Sequence, residues 1–319
     1  MTRRPLRILS LPLIAAVVMA CSSAAATPTP APITTTPTVT PAGATTNPSA
    51  TPTPNPCTKA NLTTLTSGKL TIGTDNPAYP PYFEPPASGN ATAPWELGDP
   101  TDGQGFESAV AYAVAGQLGY STADVVWTVV PFDNSYAPGP KPFDIYLAQV
   151  SYTADRAQAV DMSDGYYFVN QSIVALKSDP IVNAKSIADL KKYKFGAQVG
   201  TTAYDTIQNV IAPTTTTSVY NTNDDAIQAL KAKQIDGLVV DLPTAFYITS
   251  AQLDNSVIVG QFPAATGANA EHFSIVLAKG SSLTACVNGA IAALKADGTL
   301  DQITQTWLSD KASAPVIGQ

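Results

Sequence analysis

Arg156 is the residue whose type and setting most invite a chemical reading. The chain has four arginines, and Arg3, Arg4 and Arg7 crowd into its first seven residues. Arg156 is the only one left in the body of the chain, against thirteen lysines. A chain that solvates its surface with lysine has kept one guanidinium, a planar fork that holds a carboxylate by two parallel hydrogen bonds better than an ammonium can. A structural salt bridge is the equally open alternative. His272 is the single histidine, which argues against a histidine-based triad or a zinc site. No cysteine spacing has a metal-ligand pattern, so neither a metal nor a cofactor is expected. The net charge of −7 comes without any basic patch, which argues against a nucleic-acid partner.

The N-terminus sets the compartment. Arg3, Arg4 and Arg7 precede an apolar run from Ile8 to Ala20, interrupted by Ser10 and Pro12. That is the shape of a secretory signal over residues 1–20, and it is short for a membrane span. The run ends in Val18-Met19-Ala20-Cys21, which resembles a bacterial lipobox. Cys21 is thus the expected lipid anchor, and acyl chains contribute roughly 0.8 kcal/mol per buried CH₂. Residues 24–56 are dominated by Pro, Thr and Ala and carry no charge. They have no apolar face to bury, so residues 21–56 read as an extended tether. An anchor followed by such a tether places the protein on the outer face of the cell membrane of a Gram-positive, actinobacterial cell. In that oxidising compartment the two remaining cysteines, Cys57 and Cys286, are expected to pair as a disulfide.

Roughly 260 residues follow the tether, enough for one large domain or two lobes. The elements that must position Arg156 alternate. KLTIGT (69–74) is a strand, the Pro- and aromatic-rich segment 75–83 a rigid loop, and 105–118 a helix closed by Gly119. VVWTVV (125–130) and DIYLAQV (144–150) read as strands, with a short helix over 153–160. A strand within 167–175 starts a second series. It continues with a helix at 186–191, a strand at 195–199 ending in Gly200-Thr201-Thr202, and a helix through Val210. A capped helix from 222, the strand LVVD (238–241), a helix over 243–251, a strand at 273–278 and two C-terminal helices complete it. The pattern predicts an α/β protein of two lobes, each a mixed sheet flanked by helices.

Four stretches carry a family resemblance over roughly residues 70–308. They are GTDNPAYPPYF with GQGFESAVAYAVAGQLG; FDIYLAQVSYTADRAQAVDMSDGYY; SIADLKKYKFGAQVGTTAYDT with DDAIQALKAKQIDGLVVDLPTAFY; and FSIVLAKGSSLTACVNGAIAALKADGTLDQITQTWL. In order and spacing the chain resembles the family 3 extracellular solute-binding proteins, the polar amino-acid receptors of ABC importers. The resemblance implies a periplasmic-binding-protein-like fold of type II. Lobe 1 is then expected from 57–170 and again from 262–319 with its C-terminal tail, and lobe 2 from 171–261, the two being joined by crossing strands that close like a hinge. Arg156 stands where the family clamps the ligand carboxylate. Gly200-Thr201-Thr202 stands at the lobe-2 helix start, where N–H groups and a Thr hydroxyl bind the same carboxylate, although a plain helix cap is the simpler reading. Asp241 matches the acid that meets the ligand ammonium. Ser151 and the backbone near Gln149 match further donors, and Tyr79 the aromatic against the ligand side chain. Tyr82 and Phe83 are contacts or core. Asp75 either meets a ligand cation or makes a local turn, and Glu107 orders its helix start. Tyr136, Trp95 and Phe132 sit on loops near the cleft without an assigned role.

A zwitterion fits Arg156 with Asp241. No second arginine serves an acidic side chain, and Lys141 falls in a stretch, APGPKPFD, that reads as a surface turn. Gln149, Asp75 and Tyr79 favour a polar or cationic ligand such as glutamine, histidine, arginine or an opine-like derivative. The expected protein is therefore a monomeric binding lipoprotein, not an enzyme, whose partners are an ABC permease and ATPase. A solute sensor and a cyclohexadienyl-dehydratase-like enzyme are the rival readings on the same fold.

Overall fold

A computed structural model describes residues 55–89, 91–263, 267, 270–308 and 314–318. The signal segment, Cys21 and the tether up to residue 54 lie outside the described residues.

The first sheet runs, in spatial order, Val125–Val129, Leu70–Thr74, Ile145–Tyr146, Val276–Leu277 and Asp161–Met162. Its first three strands are parallel, and Val276–Leu277 returns antiparallel between Tyr146 and Met162. The second sheet runs Ser256–Gln261, Gln171–Leu176, Gly237–Asp241, Phe195–Gln198 and Ser218–Tyr220. Here the last three are mutually parallel and the first two antiparallel. Between the two sheets the chain passes out through Tyr167–Phe168 and back through His272–Phe273, which pair antiparallel. Both sheets belong to one unit, Thr53–Gln319.

Period-two burial explains the second sheet. Every residue of Gln171–Leu176 is buried. Ile173 and Ala175 pack with Val239 and Phe195 on one side, and Val174 and Leu176 with Leu238 and Val240 on the other. A strand covered on both faces must read as a continuous apolar run. Around the first sheet, Leu70, Ile72, Phe106, Val110, Val114 and Val287 form the core with the two C-terminal helices, Thr284–Ala296 and Thr299–Leu308. The Cys57–Cys286 disulfide is present and ties the start of the described chain to the first of these helices.

The Pro-rich loop has a structural task that its composition does not announce. The helix Phe106–Gln117 has no side-chain cap. Instead, the N–H of Phe106 donates to the Pro81 carbonyl at 2.9 Å and that of Glu107 to Tyr82 at 2.9 Å. These are the donors a helix start leaves unpaired. Gly105 makes the approach feasible, because its φ is 98° and a Cβ there would lie 2.5 Å from the Tyr82 carbonyl.

Three expectations are corrected. The strand read over 144–150 contracts to Ile145–Tyr146, because the Gln149 N–H donates to the Glu107 carboxylate at 2.7 Å and Gln149 takes a φ of 52°. Lys141 is buried rather than at a surface turn, and its ammonium donates to the carbonyls of Asn134 and Ala137. The end of the chain leaves the first sheet. Ile317 is 2 % exposed in the core of the second lobe, its N–H donates to the Gln261 carbonyl at 2.9 Å, and that of Gly318 donates to Lys185 at 2.9 Å.

Candidate functional site

Arg156 sits on the short helix Ala154–Ala159, capped by Thr153, whose hydroxyl accepts the Arg156 N–H at 3.1 Å. The side chain is 8 % exposed. Nη1 donates to the Ser151 carbonyl at 2.6 Å, and Nη2 to the Gly200 carbonyl at 2.7 Å. The guanidinium lies 4.5 Å from the Tyr136 ring centre and 5.4 Å from that of Phe132, an aromatic cradle that favours a cation. Among the described residues no carboxylate forms an ion pair with it. Burial lowers its pKa from the ordinary value, though not enough to discharge an arginine. Two of its five N–H groups serve neutral carbonyls, so a desolvated positive charge faces the cleft without a counter-ion.

Gly200 meets this cation from the second lobe. Its φ is 69°, and a Cβ there would stand 2.3 Å from the Tyr136 hydroxyl and 2.9 Å from Asp133 Oδ1. Only glycine satisfies both the backbone conformation and the approach. Thr201 caps the helix Thr202–Thr206: its hydroxyl accepts the Tyr204 N–H at 3.3 Å and donates to the Gln198 carbonyl at 2.8 Å. Its hydroxyl is thus spent locally. Thr202 and Ala203 line the cleft, and their N–H groups are among those a helix start leaves without intrahelical partners.

Asp241 ends the strand Gly237–Asp241 on the opposite wall. Its Oδ1 accepts from Gln171 Nε2 at 2.6 Å. Burial, then the charge of nearby Glu271, push its pKa well above the usual carboxylate range, with Gln171 pulling the other way. Such a group is stabilised by an incoming cation.

Asp75, directly after Leu70–Thr74, lines the cleft where Pro77, Tyr79, Phe132 and Gln198 also converge. Oδ1 accepts the Asn76 N–H at 2.8 Å. Burial, reinforced by Asp133, raises its pKa to about 6 despite that bond. Asp75 thus makes a local backbone contact and also lines the cavity. Burial, with the charge of Asp224, raises the pKa of the Tyr79 hydroxyl, which among the described residues meets no hydrogen-bond partner within geometric limits.

The cleft is bridged by direct contacts: Arg156 and Tyr136 to the Gly200 carbonyl at 2.7 and 3.3 Å, and the Tyr82 hydroxyl to Thr244 Oγ1 at 3.2 Å. A cavity between two α/β lobes, with an unpaired guanidinium facing carboxylates, suits a small charged solute. The model of the bacterial extracellular solute-binding proteins, family 3, matches residues 87–310. This chain belongs to that family. It is 30 % identical to the ABC transporter arginine-binding protein 1 of Escherichia coli (strain K12) over 207 residues, 64 % of this chain and 81 % of that one. Among solved structures it resembles an ancestral arginine-binding protein bound to glutamine, with 29 % identity, a TM-score of 0.60 and coverage of 76 % of this chain and 98 % of that one. It also resembles the ancestral amino acid-binding protein AncCDT-1, a precursor of cyclohexadienyl dehydratase, at 28 % identity and a TM-score of 0.59, covering 75 % and 95 %.

Within this solute-binding protein the anticipated site residues divide. Arg156, Asp241, Asp75, Tyr79, Gln149, Thr201 and Thr202 share one cavity. Tyr82 does not: it is 0 % exposed, packs edge-to-face on Phe273 at 6.1 Å, and reaches the cleft only through Thr244. Its position in the helix-capping turn points the ring into the core. Ser151 also lies off the cavity wall, its carbonyl holding Arg156 and its hydroxyl donating to Glu271 at 2.7 Å. The Gln149 side chain turns away to donate to Glu107. Glu107 itself is enclosed. Burial raises its pKa to about 7 against hydrogen bonds from Tyr166 and Gln149. Phe132, Tyr136, Gln198, Asn223, Thr244, Gln171 and Glu271 were given no role by the sequence. A polar residue opening the buried run QSIVAL was the available signal for Gln171, and an acid beside the returning strand HF the signal for Glu271.

Proposed function

We propose that this protein captures a cationic α-amino acid in the interlobe cleft and delivers it to the permease and ATPase of an ABC importer. The observation that carries the reading is the charge distribution. Arg156 is buried and among the described residues forms no ion pair, while Asp241 and Asp75 line the same cavity. An α-carboxylate neutralises Arg156, an α-ammonium neutralises Asp241, and a cationic side chain running past Tyr79 neutralises Asp75. One cation against two carboxylates favours a ligand with net positive charge. The names of the arginine-binding relatives support the same class.

The N-terminal sequence supports export, anchoring through acylated Cys21 and a Pro/Thr tether that spaces the domain from the outer face of the membrane, as in a Gram-positive actinobacterial envelope. No helix of the described residues is long and apolar enough to cross a membrane. Binding rather than catalysis is favoured because the two acids on the cavity wall, Asp75 and Asp241, are assigned to the ligand's cationic groups, while the buried acid Glu107 is enclosed by Tyr166 and Gln149.

The test is calorimetric titration of the mature domain, unfolded and refolded to strip carried-over solute, with L-arginine, L-lysine, L-histidine, L-glutamine, L-cystine and L-glutamate. Saturable one-to-one binding led by a cationic amino acid is expected. Tightest binding of glutamate, or none by any of the six, refutes the assignment.

A further inference from the structure

Glu271 stands behind the cavity wall rather than on it, and its contacts span the whole hinge. One oxygen, Oε1, accepts from Thr202 Oγ1 at 2.5 Å, Ser151 Oγ at 2.7 Å and Gln171 Nε2 at 3.1 Å. Thr202 belongs to the second lobe, Ser151 to the first, and Gln171 opens the strand entering the second sheet. Three donors converging on one oxygen is the arrangement of an ionised carboxylate, which accepts and never donates.

The consequence lies in the hydroxyl protons. Serine and threonine each have a single O–H. Once both point at Glu271, these hydroxyls turn only lone pairs toward anything else. Thr202 lines the cavity on the same hydrogen-bonded network as Asp241, since Gln171 Nε2 donates to Asp241 Oδ1 at 2.6 Å and lies 3.4 Å from Thr202 Oγ1. We infer that Glu271 is a positioning residue that fixes the Thr202 hydroxyl, with Ser151 behind it, as a proton acceptor, so that this end of the cleft selects a ligand ammonium. This rests on the amino-acid reading above and deepens it. It also departs from the expectation that a Thr hydroxyl of Gly200-Thr201-Thr202 binds the ligand carboxylate. That group is held instead by Arg156 and the backbone N–H groups of Thr202 and Ala203. A ligand without an α-ammonium then meets a wall of acceptors with nothing to donate, which costs more than a lost contact.

The test compares L-arginine with 5-guanidinopentanoate, which lacks only the α-ammonium, on wild type and Glu271→Met. The thioether of similar length offers no comparable acceptor, so it frees the hydroxyl protons to turn into the cleft. The ratio of the two dissociation constants is expected to fall by about tenfold or more in the variant. Equal weakening of both ligands, leaving the ratio unchanged, marks a merely structural role and overturns the inference. Failure of wild type to bind either compound counts against the proposed function instead. In that case, or if the variant does not fold, NMR of the ligand-free wild type decides. A slowly exchanging Thr202 hydroxyl proton is expected, and its absence overturns the inference.

Discussion

Asp75 turns the proposed specificity into a measurable pH dependence. Its carboxyl titrates at about 6 in the ligand-free protein because it is buried and lies near Asp133. A cationic ligand side chain binds the ionised form and draws that pKa down in the complex. Affinity for such a ligand is therefore full above about pH 7 and is lost as the pH falls through 6. If only the ionised form binds, the apparent dissociation constant scales as one plus the protonated-to-ionised ratio, giving a loss of about tenfold between about pH 7.5 and about pH 5. Asp241 and Glu107 also have raised pKa values, so any amino acid should show some pH dependence. The informative quantity is the ratio of the L-glutamine to the L-arginine dissociation constant, in which effects common to both α-amino-acid heads cancel. Calorimetry at several pH values should show this ratio rising by about tenfold from the acid to the neutral end. The Asp75→Asn variant should flatten the profile at the low-pH ratio. A ratio that moves less than about twofold, or one that still rises in Asp75→Asn, means that Asp75 does not meet the ligand side chain.

Three further outcomes are expected. Arg156→Ala should weaken binding by roughly 30-fold or more, the equivalent of at least about 2 kcal/mol for a buried charge pair; titration of the refolded domain within threefold of wild type would falsify the carboxylate clamp. Gly200→Ala places a Cβ 2.3 Å from the Tyr136 hydroxyl, so it should weaken binding by about tenfold or more, and Tyr136→Phe in the same chain should recover part of the loss. The disulfide closes a separation of 229 residues, so Cys57→Ser with Cys286→Ser should lower unfolding stability by up to about 5 kcal/mol, read by denaturant unfolding with and without reductant.

Much of the fold was legible because it rests on local pattern. The continuous apolar run QSIVAL, the alternation in KLTIGT and the capped helix from Asn223 follow from burial on one or two faces. Arg156 stood out by scarcity, since a lone guanidinium among lysines needs a geometric reason. What escaped the sequence depends on groups far apart along the chain. Sequence alone leaves Tyr82 as either a ligand contact or core, and the turn that caps the helix at Phe106 rotates it into the core. Gln149 has a positive φ only because Glu107, 42 residues earlier, accepts its N–H. Glu271 meets Ser151 across 120 residues. No window of local sequence contains such pairs.

The bridged cleft also explains why a ligand should govern the lobes. With the lobes in contact, Arg156 and Asp241 are both desolvated, and among the described residues neither forms an ion pair. Keeping either group charged there raises the free energy of the closed arrangement relative to one in which water fills the gap, a cost that appears in Asp241 as its raised pKa. The direct bridges, Arg156 to Gly200 and Thr202 to Glu271, offset part of that cost but are hydrogen bonds that water can replace. On the proposed reading, an amino acid supplies a carboxylate to Arg156 and an ammonium to Asp241 in the same event, removing both penalties only when the lobes are together. A ligand shifts a two-state equilibrium only by its difference in affinity for the states. Here that difference resides in charges contributed by both lobes, so neither lobe alone should bind the solute appreciably, and closure and capture become one thermodynamic step.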